Sequence, residues 1–267
     1  MRFGERTFAE SGLASFKLKG GMAQTVELDR LAMRARPPGL PVMHQNWENL
    51  LFLHWPVAAE ELRPLVPAEL ELDLFADRAW IGVTPFQMTG VRLHALPEIP
   101  GLNTFLELNV RTYVHHHGKP GIYFFSLDAS KILPTVAARL FYFLPYFRAE
   151  MEFTETAGEF RFHSKRLNSR AAFQAAWRVG DRLPDPSLDS LAFFLVERYA
   201  LFVEISSRIH AVRIYHHPWV LEEAIVSSWD STMISALDLP QPEDEPLAHF
   251  SRFLNVEAWE PMPAGRE

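Results

Sequence analysis

Polar side chains recur at every second position along one stretch of the chain, Thr104 to His116. The polar set is Glu107, Asn109, Arg111 and Tyr113, and the apolar set between them is Leu106, Leu108, Val110 and Val114. Because successive side chains of a strand point to opposite faces, this period of two predicts a strand with one polar face. An acid, an amide, a guanidinium and a phenol on one face suit a pocket for a small polar ligand. We therefore expect Glu107 to act as an acid or base and Arg111 to hold an anionic group, with Asn109 and Tyr113 as further ligand contacts.

Two structural interpretations compete with a pocket on this face. Glu107 and Arg111 can pair with each other in a buried network, or the face can be exposed to solvent. A hairpin predicted at 147–154 and 159–166 shows a different composition, since its outward positions carry long side chains of mixed charge. The short amide and the aromatic residues of the 105–113 face favour a pocket over a solvated surface, and the buried network stays open.

Lys131 is the lysine that stands next to predicted core sequence. It begins a helix predicted from 131 to 143, which Ser130 can cap. The positive end of a helix and burial both disfavour an ammonium ion, and this is one way in which an amine becomes a nucleophile. The alternative is a first-turn lysine that extends its charged end into water.

Metal and cofactor motifs are weak or missing in the sequence. His115, His116 and His117 form a triplet that His216 or His217 could complete, but no carboxylate stands at ligand spacing nearby, and we predict no metal. There is no G-x-G-x-x-G, no G-x-x-x-x-G-K, no H-E-x-x-H and no G-x-S-x-G. The sequence therefore predicts no nucleotide cofactor and gives no support for serine hydrolase chemistry.

Composition limits the class of protein and its partners. Hydrophobic residues make up 48% of the 267 residues, and there is no cysteine, so disulfides and thiolate chemistry are excluded and a cytoplasmic location is expected. The net charge of −7 argues against a nucleic-acid partner, and no apolar run is long enough to span a membrane. A small-molecule ligand is the expected partner. The sequence leaves the oligomeric state open, including a homo-oligomer.

The elements predict a single, mostly β domain. Residues 1–40 are predicted to be a mobile basic leader, 41–260 one domain and 261–267 a loose tail. Many short strands favour a closed or nearly closed barrel. A short helix is predicted at 59–65, and a longer one, capped by Ser187, to about Tyr199. The predicted fold class is α+β, mostly β, as a β-barrel or cone with two or three packed helices.

Several motifs make the chain resemble the YqjF-like family of uncharacterised proteins, within the acetoacetate-decarboxylase-like superfamily. The motifs are Met43-His44-Gln45 with Trp47, Leu53-His54-Trp55-Pro56-Val57, Ala79-Trp80-Ile81-Gly82, Glu107 to Val114, Phe124 to Ala129, Leu144-Pro145-Tyr146, Glu197-Arg198-Tyr199, and His216 with Pro218-Trp219. The resemblance implies a β-barrel or cone around a small cavity. Asp128, Trp80 and His216, which belong to these motifs, are added to the predicted ligand contacts.

The lysine pair on which acetoacetate decarboxylase depends is incomplete in this sequence. That enzyme forms a Schiff base between a lysine and a β-keto acid, and an adjacent lysine activates the amine. Here Ser130-Lys131-Ile132 has no second lysine, and Trp55-Pro56 stands about where the decarboxylase has an arginine. The decarboxylase activity is therefore not expected to carry over.

Two hypotheses for function follow from the sequence. The first is a small-molecule-binding barrel that acts as a lyase-like or decarboxylase-like enzyme on a small carboxylate or carbonyl compound, with Glu107, Arg111 and Lys131 as its catalytic residues. The second is a non-catalytic module that binds a metabolite or a protein partner.

Overall fold

The computed structural model describes residues 28–131 and 143–265, and thirteen strands pair there into one sheet. The strands are β1 Met43–Val57, β2 Glu71–Leu72, β3 Ala79–Leu93, β4 Phe105–His116, β5 Lys119–Ala129, β6 Tyr146–Thr156, β7 Glu159–Arg166, β8 Ala172–Arg182, β9 Ala200–Ile205, β10 Arg208–Tyr215, β11 Glu222–Ser231, β12 Leu247–Ala258 and β13 Met262–Pro263. The helices are α1 Ala59–Leu62 and α2 Leu191–Val196, with 3-10 turns at Arg63–Leu65 and Ser235–Leu237.

The sheet closes into two rings, because β5 and β12 each pair with a third strand near one end. Nine strands form a barrel in the order β5-β6-β7-β8-β11-β12-β1-β3-β4, and β4 pairs back with β5. At the other end of β5, Ile122 and Tyr123 pair in parallel with β9, and β10 pairs with the end of β12. A second ring therefore runs through β9 and β10. The five strands β12-β1-β3-β4-β5 belong to both rings, and we call them the shared wall.

Each face of the shared wall covers its own apolar core. One core packs Leu108 and Val110 of β4 against Phe162 of β7 and Trp177 of β8. The other packs Ile122, Phe124 and Tyr113 against Phe194 of α2, Leu201 of β9 and Ile214 of β10, as one cluster. The alternation predicted for β4 is confirmed, and nearly every residue of this strand is buried. The interpretation of its polar side as an exposed face is therefore wrong.

The helices differ in length from the predictions. The helix predicted to run from Ser187 to Tyr199 spans only Leu191–Val196, and its cap is Ser190, whose Oγ accepts a hydrogen bond from the Phe193 amide at 3.2 Å. It ends early because Glu197 leaves helical geometry and the chain turns into β9. The short helix predicted at 59–65 is confirmed as α1 and its following 3-10 turn. The helix predicted from 131 to 143 lies outside the described residues apart from its two ends.

The described part of the predicted leader, residues 28–40, contacts the barrel. Arg30 donates two hydrogen bonds to Asp73, at 2.8 and 2.9 Å, and Met33 is buried against Tyr199. Arg36 forms an ion pair with Glu257 at 2.6 Å. These contacts attach residues 30–36 to the barrel, whereas the boundaries predicted at 40 and 260 stay predictions. Among the helices that the structure describes, none is long and apolar enough to cross a membrane.

The parallel contact between β5 and β9 depends on a residue without a side chain at position 121. A Cβ added to Gly121 would lie 2.7 Å from the Ala200 carbonyl oxygen and 2.7 Å from the Phe202 ring. We predict that Gly121→Ala lowers the free energy of unfolding by about 1–3 kcal/mol, the usual range for overpacking. Gly180→Ala is the control, because its Cβ meets only the exposed side chain of Glu223. Urea unfolding measures both, and equal losses would contradict the prediction.

Candidate functional site

A cavity of about 90 Å³ lies inside the second ring. The polar face of β4 forms one side of it, and residues of β9 and β10 form another. Its volume is several times the roughly 10–15 Å³ that one water needs, so it has room for a small organic molecule. Most of its wall is apolar. The polar side chains that line it are Gln45, Thr84, Glu107, Asn109, Arg111, Tyr146 and Arg198.

Glu107 forms an acidic end of the cavity. Its side chain is 2% exposed, and Tyr146 Oη donates a hydrogen bond to its Oε2 at 2.9 Å. Burial raises the pKa of Glu107 to about 8; the hydrogen bond from Tyr146 works against this shift and the nearby Asp128 works with it. Near neutral pH, Glu107 therefore keeps its proton in most molecules and can donate it.

Arg111 forms a cationic end of the cavity. The residue is 8% exposed, and its guanidinium carbon lies 5.4 Å from the Phe52 ring centroid and 5.9 Å from that of Tyr113. Within the part of the chain that the structure describes, no carboxylate lies at ion-pair distance from Arg111, and its Nε has no acceptor. A buried guanidinium without a counter-ion is costly, so this end of the cavity is suited to binding an anion.

Gly82 gives Arg111 the room for this position. Gly82 pairs with Arg111 across β3 and β4, and a Cβ at position 82 would lie 3.3 Å from both Cγ and Nε of Arg111. The same Cβ would lie 3.1 Å from the His54 ring. The Ala79-Trp80-Ile81-Gly82 motif thus has a steric reason for its glycine.

Arg198 is a second guanidinium in the cavity wall. It is 5% exposed; its Nη1 donates to Asp73 at 2.6 Å and its Nε to the Phe194 carbonyl at 2.8 Å. Its Nη2 is buried and has no acceptor among the described residues. The Tyr113 ring lies 5.0 Å from its guanidinium carbon. Tyr113 therefore contacts both cations.

His54 is buried beside Arg111, and its surroundings favour the neutral ring. Its ring stacks on Phe52 at 5.9 Å, and neither ring nitrogen has a hydrogen-bond partner among the described residues. Burial holds the pKa of His54 well below its usual value, and the charges of Arg111 and His249 lower it further. The cationic end thus gains no third positive charge from this histidine.

Glu107 and Arg111 occupy different parts of the cavity wall. They are four residues apart on β4, which corresponds to roughly 13 Å of strand. No ion pair joins them in the described structure, and the charges that act on Glu107 do not include Arg111. The two side chains do not form the buried network that the sequence left open, and each is available to a ligand.

Four of the predicted site residues line this cavity or pack against its wall, and the others do not line it. Glu107, Asn109 and Arg111 line it, and Tyr113 packs under the two guanidiniums. Trp80 packs in the same apolar cluster as the cavity wall but does not line the cavity.

Asp128 belongs to the opposite face of the shared wall. Its carboxylate accepts hydrogen bonds from Arg166 Nε at 3.0 Å and Nη2 at 2.6 Å. Leu127 lines the cavity, and Asp128, one position further, points the other way because strand side chains alternate. The prediction of Asp128 as a ligand contact is corrected to a structural ion pair.

His216 and Lys131 also lie outside the cavity wall. The His216 ring stacks on Tyr199 at 4.4 Å, and its Nδ1 lies 2.7 Å from the His217 carbonyl oxygen. Lys131 Nζ donates to the Gly101 carbonyl at 2.5 Å on the exposed side of the loop before β4. Neither is among the residues that line the cavity, so the predicted catalytic trio does not meet there.

Four polar residues of the wall were absent from the predicted site. They are Gln45, Thr84, Tyr146 and Arg198. Thr84 pairs directly with Asn109, and since opposite residues of paired strands share a face, the β3–β4 register would have identified it. Tyr146 and Arg198 stand in motifs of the family resemblance, but their approach to β4 depends on ring closure.

Metal ligands are not grouped in the described residues: no three histidine, aspartate or glutamate side chains there could hold one ion. His115 faces Glu71 at 3.7 Å, and the rings of His116 and His117 contact each other. The triplet therefore lies at the β4–β5 turn, away from the cavity.

The ion pair of Asp128 with Arg166 supports a stability prediction. Both side chains are buried, so Asp128→Asn leaves an uncompensated guanidinium inside the nine-strand barrel. We expect a loss of about 3–5 kcal/mol in the free energy of unfolding. Glu222→Gln, which breaks an exposed pair with Arg252, should cost no more than about 1 kcal/mol. Urea unfolding that finds similar costs for the two variants would contradict this role of Asp128.

Comparison with known proteins places these observations in a family. The model of the DUF2071 family, described as an uncharacterized conserved protein, matches residues 44–255. The uncharacterized protein YqjF of Bacillus subtilis (strain 168) is 43% identical over 224 residues, which cover 84% of this chain and 93% of that protein. The resemblance predicted from the motifs is thus confirmed.

Solved structures of similar fold are acetoacetate-decarboxylase-like. The enduracididine biosynthesis enzyme MppR complexed with pyruvate has a TM-score of 0.58 and 14% identity, over 84% of this chain and 91% of that one. An acetoacetate decarboxylase-like enzyme from Sphingomonas wittichii RW1 has a TM-score of 0.58 and 12% identity, over 84% and 93% of the two chains. Acetoacetate decarboxylase from Legionella pneumophila has a TM-score of 0.54 and 13% identity, over 94% and 98%. At this identity the likeness shows the fold alone.

Proposed function

The chain belongs to the DUF2071 family, and we propose that its cavity binds a small carboxylate or carbonyl compound, with Arg111 holding the carboxylate and Glu107 acting on the far end. The observation that carries this proposal is the buried guanidinium of Arg111, which has no counter-ion among the described residues. A ligand carboxylate would supply that counter-ion.

The chemistry of the wall supports a carboxylate in particular. A guanidinium presents a planar fork of donors that matches a carboxylate, and two parallel hydrogen bonds fix the orientation of the ligand. The apolar side chains around the cavity lower the local dielectric constant, which strengthens the attraction between opposite charges. Asn109, between Arg111 and Glu107 on the same face, has an Oδ1 without a donor and is suited to accept a hydrogen bond from the ligand.

Glu107 gives the proposal an enzymatic version. A carboxylic acid that keeps its proton near neutral pH can donate it to a carbonyl oxygen or to a carbanion, as lyase chemistry on small keto acids requires. One of the solved structures of similar fold is titled as complexed with pyruvate, which is a small carboxylate with a carbonyl group. That title supports the ligand class and not a particular reaction.

A Schiff-base mechanism is not part of this proposal. Among the described residues, no lysine lines the cavity, and Lys131 Nζ is hydrogen-bonded to the Gly101 carbonyl. The alternative function, a non-catalytic metabolite-binding module, uses the same cavity and differs only in turnover. We place the activity in the cytoplasm because a chain without cysteine suits a reducing compartment.

Arg111 supplies the first test. We predict that Arg111→Met stabilises the ligand-free protein, because it removes a buried charge without a partner. Small carboxylates at a hundred times Kd should add about 2.7 kcal/mol to the free energy of unfolding of the wild type, seen as a rise in melting temperature, and Arg111→Met should lose this rise. Differential scanning fluorimetry with acetate, propionate and pyruvate measures both effects.

Arg252→Met is the matched control for this test, because Arg252 is exposed and paired with Glu222. It should respond to carboxylates as the wild type does. A carboxylate-induced shift that survives in Arg111→Met would show that the ligands bind elsewhere and would contradict the proposal.

Glu107 supplies a test by pH. Its pKa of about 8 in the folded chain exceeds the value of 4.5 in the unfolded chain, so the unfolded chain releases the proton first as pH rises. The contribution of Glu107 to the free energy of unfolding is therefore fully present below pH 4.5 and is lost as pH rises to about 8. The loss is at most on the order of 5 kcal/mol, since one pKa unit is about 1.4 kcal/mol.

Urea unfolding from pH 4.5 to pH 8 should show this fall in the difference between the free energies of unfolding of the wild type and of Glu107→Gln, because buried histidines such as His54 titrate alike in both proteins. Glu150→Gln, which changes an exposed acid on β6, should keep the wild-type slope. Parallel profiles for wild type and Glu107→Gln would mean that Glu107 titrates normally.

Borohydride trapping tests the absence of a Schiff base. Incubation with pyruvate or acetoacetate and borohydride, followed by peptide mass spectrometry, should leave Lys131 unmodified because its amine lies outside the cavity. A reduced adduct on Lys131 that requires Arg111 would restore the decarboxylase-like mechanism.

A further inference from the structure

We infer that the ligand is a dianion, with two negative charges bound between Arg111 and Arg198. This inference rests on the proposed function, because it uses the same cavity and the same Arg111, and it narrows the substrate class from carboxylates to dicarboxylates or phosphate-bearing compounds.

Two guanidiniums meet at one aromatic ring in the cavity wall. The guanidinium carbon of Arg111 lies 5.9 Å from the centroid of Tyr113, and that of Arg198 lies 5.0 Å from it. Both arginines line the cavity and both are more than nine-tenths buried. Two anionic groups joined by a short carbon chain can therefore reach both cations at once.

Each of these guanidiniums keeps a buried donor without an acceptor. Nε of Arg111 and Nη2 of Arg198 make no hydrogen bond with any described residue. Buried donors of native proteins are normally paired, and one that is charged is the most costly to leave unpaired. Arg111 stands on β4 and Arg198 in the segment before β9, so the two orphaned donors are separate indications of a ligand near Tyr113.

Asp73 does not balance the charge at this end of the cavity. It accepts two hydrogen bonds from Arg30, at 2.8 and 2.9 Å, and one from Arg198, at 2.6 Å. One carboxylate thus serves two guanidiniums, and Arg111 adds a third cation. Within the described residues, no further acid forms an ion pair with any of the three arginines. The group has two positive charges in excess, which a dianion neutralises.

A single dianion accounts for this excess better than two separate monoanions. One ligand loses its translational and rotational freedom once, whereas two ligands lose it twice. A lone monocarboxylate on Arg111 would leave Arg198 sharing Asp73 with Arg30 and keep a buried charge uncompensated. The small volume of the cavity also favours one compact molecule.

Isothermal titration calorimetry at constant ionic strength tests the inference with defined probes. The dianionic probes are malonate, succinate and inorganic phosphate, and the monoanionic probes are acetate and propionate. We expect at least one dianion to bind tenfold or more tightly than either monoanion. Tighter binding of malonate or succinate would identify a dicarboxylate ligand, and tighter binding of phosphate would identify a phosphate-bearing one.

Variants separate this inference from the proposed function. Arg198→Gln should reduce dianion affinity to the monoanion level and change monoanion affinity less than threefold. Arg198→Lys keeps the positive charge beside Asp73 and should retain part of the dianion preference. It replaces Arg198→Gln in the test if Arg198→Gln fails to fold. Arg252→Gln, at an exposed position, should leave every affinity unchanged.

The outcomes are distinguishable. Equal affinity for monoanions and dianions, lost in Arg111→Met and unchanged in Arg198→Gln, would overturn the dianion and leave the proposed function intact. No binding that depends on Arg111 would overturn both. Dianion binding that persists in the Arg111→Met, Arg198→Gln double variant would show a nonspecific surface effect and would also overturn the inference.

Discussion

The alternation of side chains along β4 is the constraint on which the rest of the structure depends. Leu108 and Val110 enter the core of the nine-strand barrel, and Glu107, Asn109 and Arg111 enter the cavity on the other side. A shift of one residue in the pairing of β4 would exchange the two sets and bury the charged groups in an apolar core. Pairing with β3 on one side and β5 on the other fixes this register.

The double closure of the sheet makes that alternation useful. Without the pairings of β5 with β9 and of β12 with β10, the polar side of β4 would face solvent. A guanidinium and a carboxyl group would then behave there as they do in water. Because β9 and β10 close a second ring over this side, burial keeps the proton on Glu107 and isolates Arg111 from water. The same closure brings in Arg198, which lies just before β9, whereas Tyr146 comes from the start of β6, beside Leu127 of β5.

The sequence predicted what depends on local pattern. The β4 strand, its buried apolar face and three of its cavity residues followed from the period of two, and the fold class followed from the many strands and the family motifs. The prediction for Asp128 is wrong because its motif does not show to which face of the sheet the side chain points. A register shift between Val110 and Arg111 on the pairing with β5 further obscures which positions share a side.

Contacts between distant segments could not be predicted in this way. Arg198 stands in a loop that the sequence assigned to a helix, and its partner Asp73 is 125 residues away. Lys131 stands beside core sequence, but its amine donates a hydrogen bond to Gly101 in the loop before β4. In each case, a contact between segments that are distant in sequence determines the position of the charged group, and a periodic sequence pattern does not predict such a contact.

A crystal structure with 3-bromopropionate tests the central claim, an anion site at Arg111, most directly. Bromine gives an anomalous signal that distinguishes the ligand from water and buffer molecules. We expect one bromine peak inside the cavity, with the carboxylate forming two hydrogen bonds to the Arg111 guanidinium. Bromine peaks confined to the protein surface, or a carboxylate in the cavity that points away from Arg111, would contradict it.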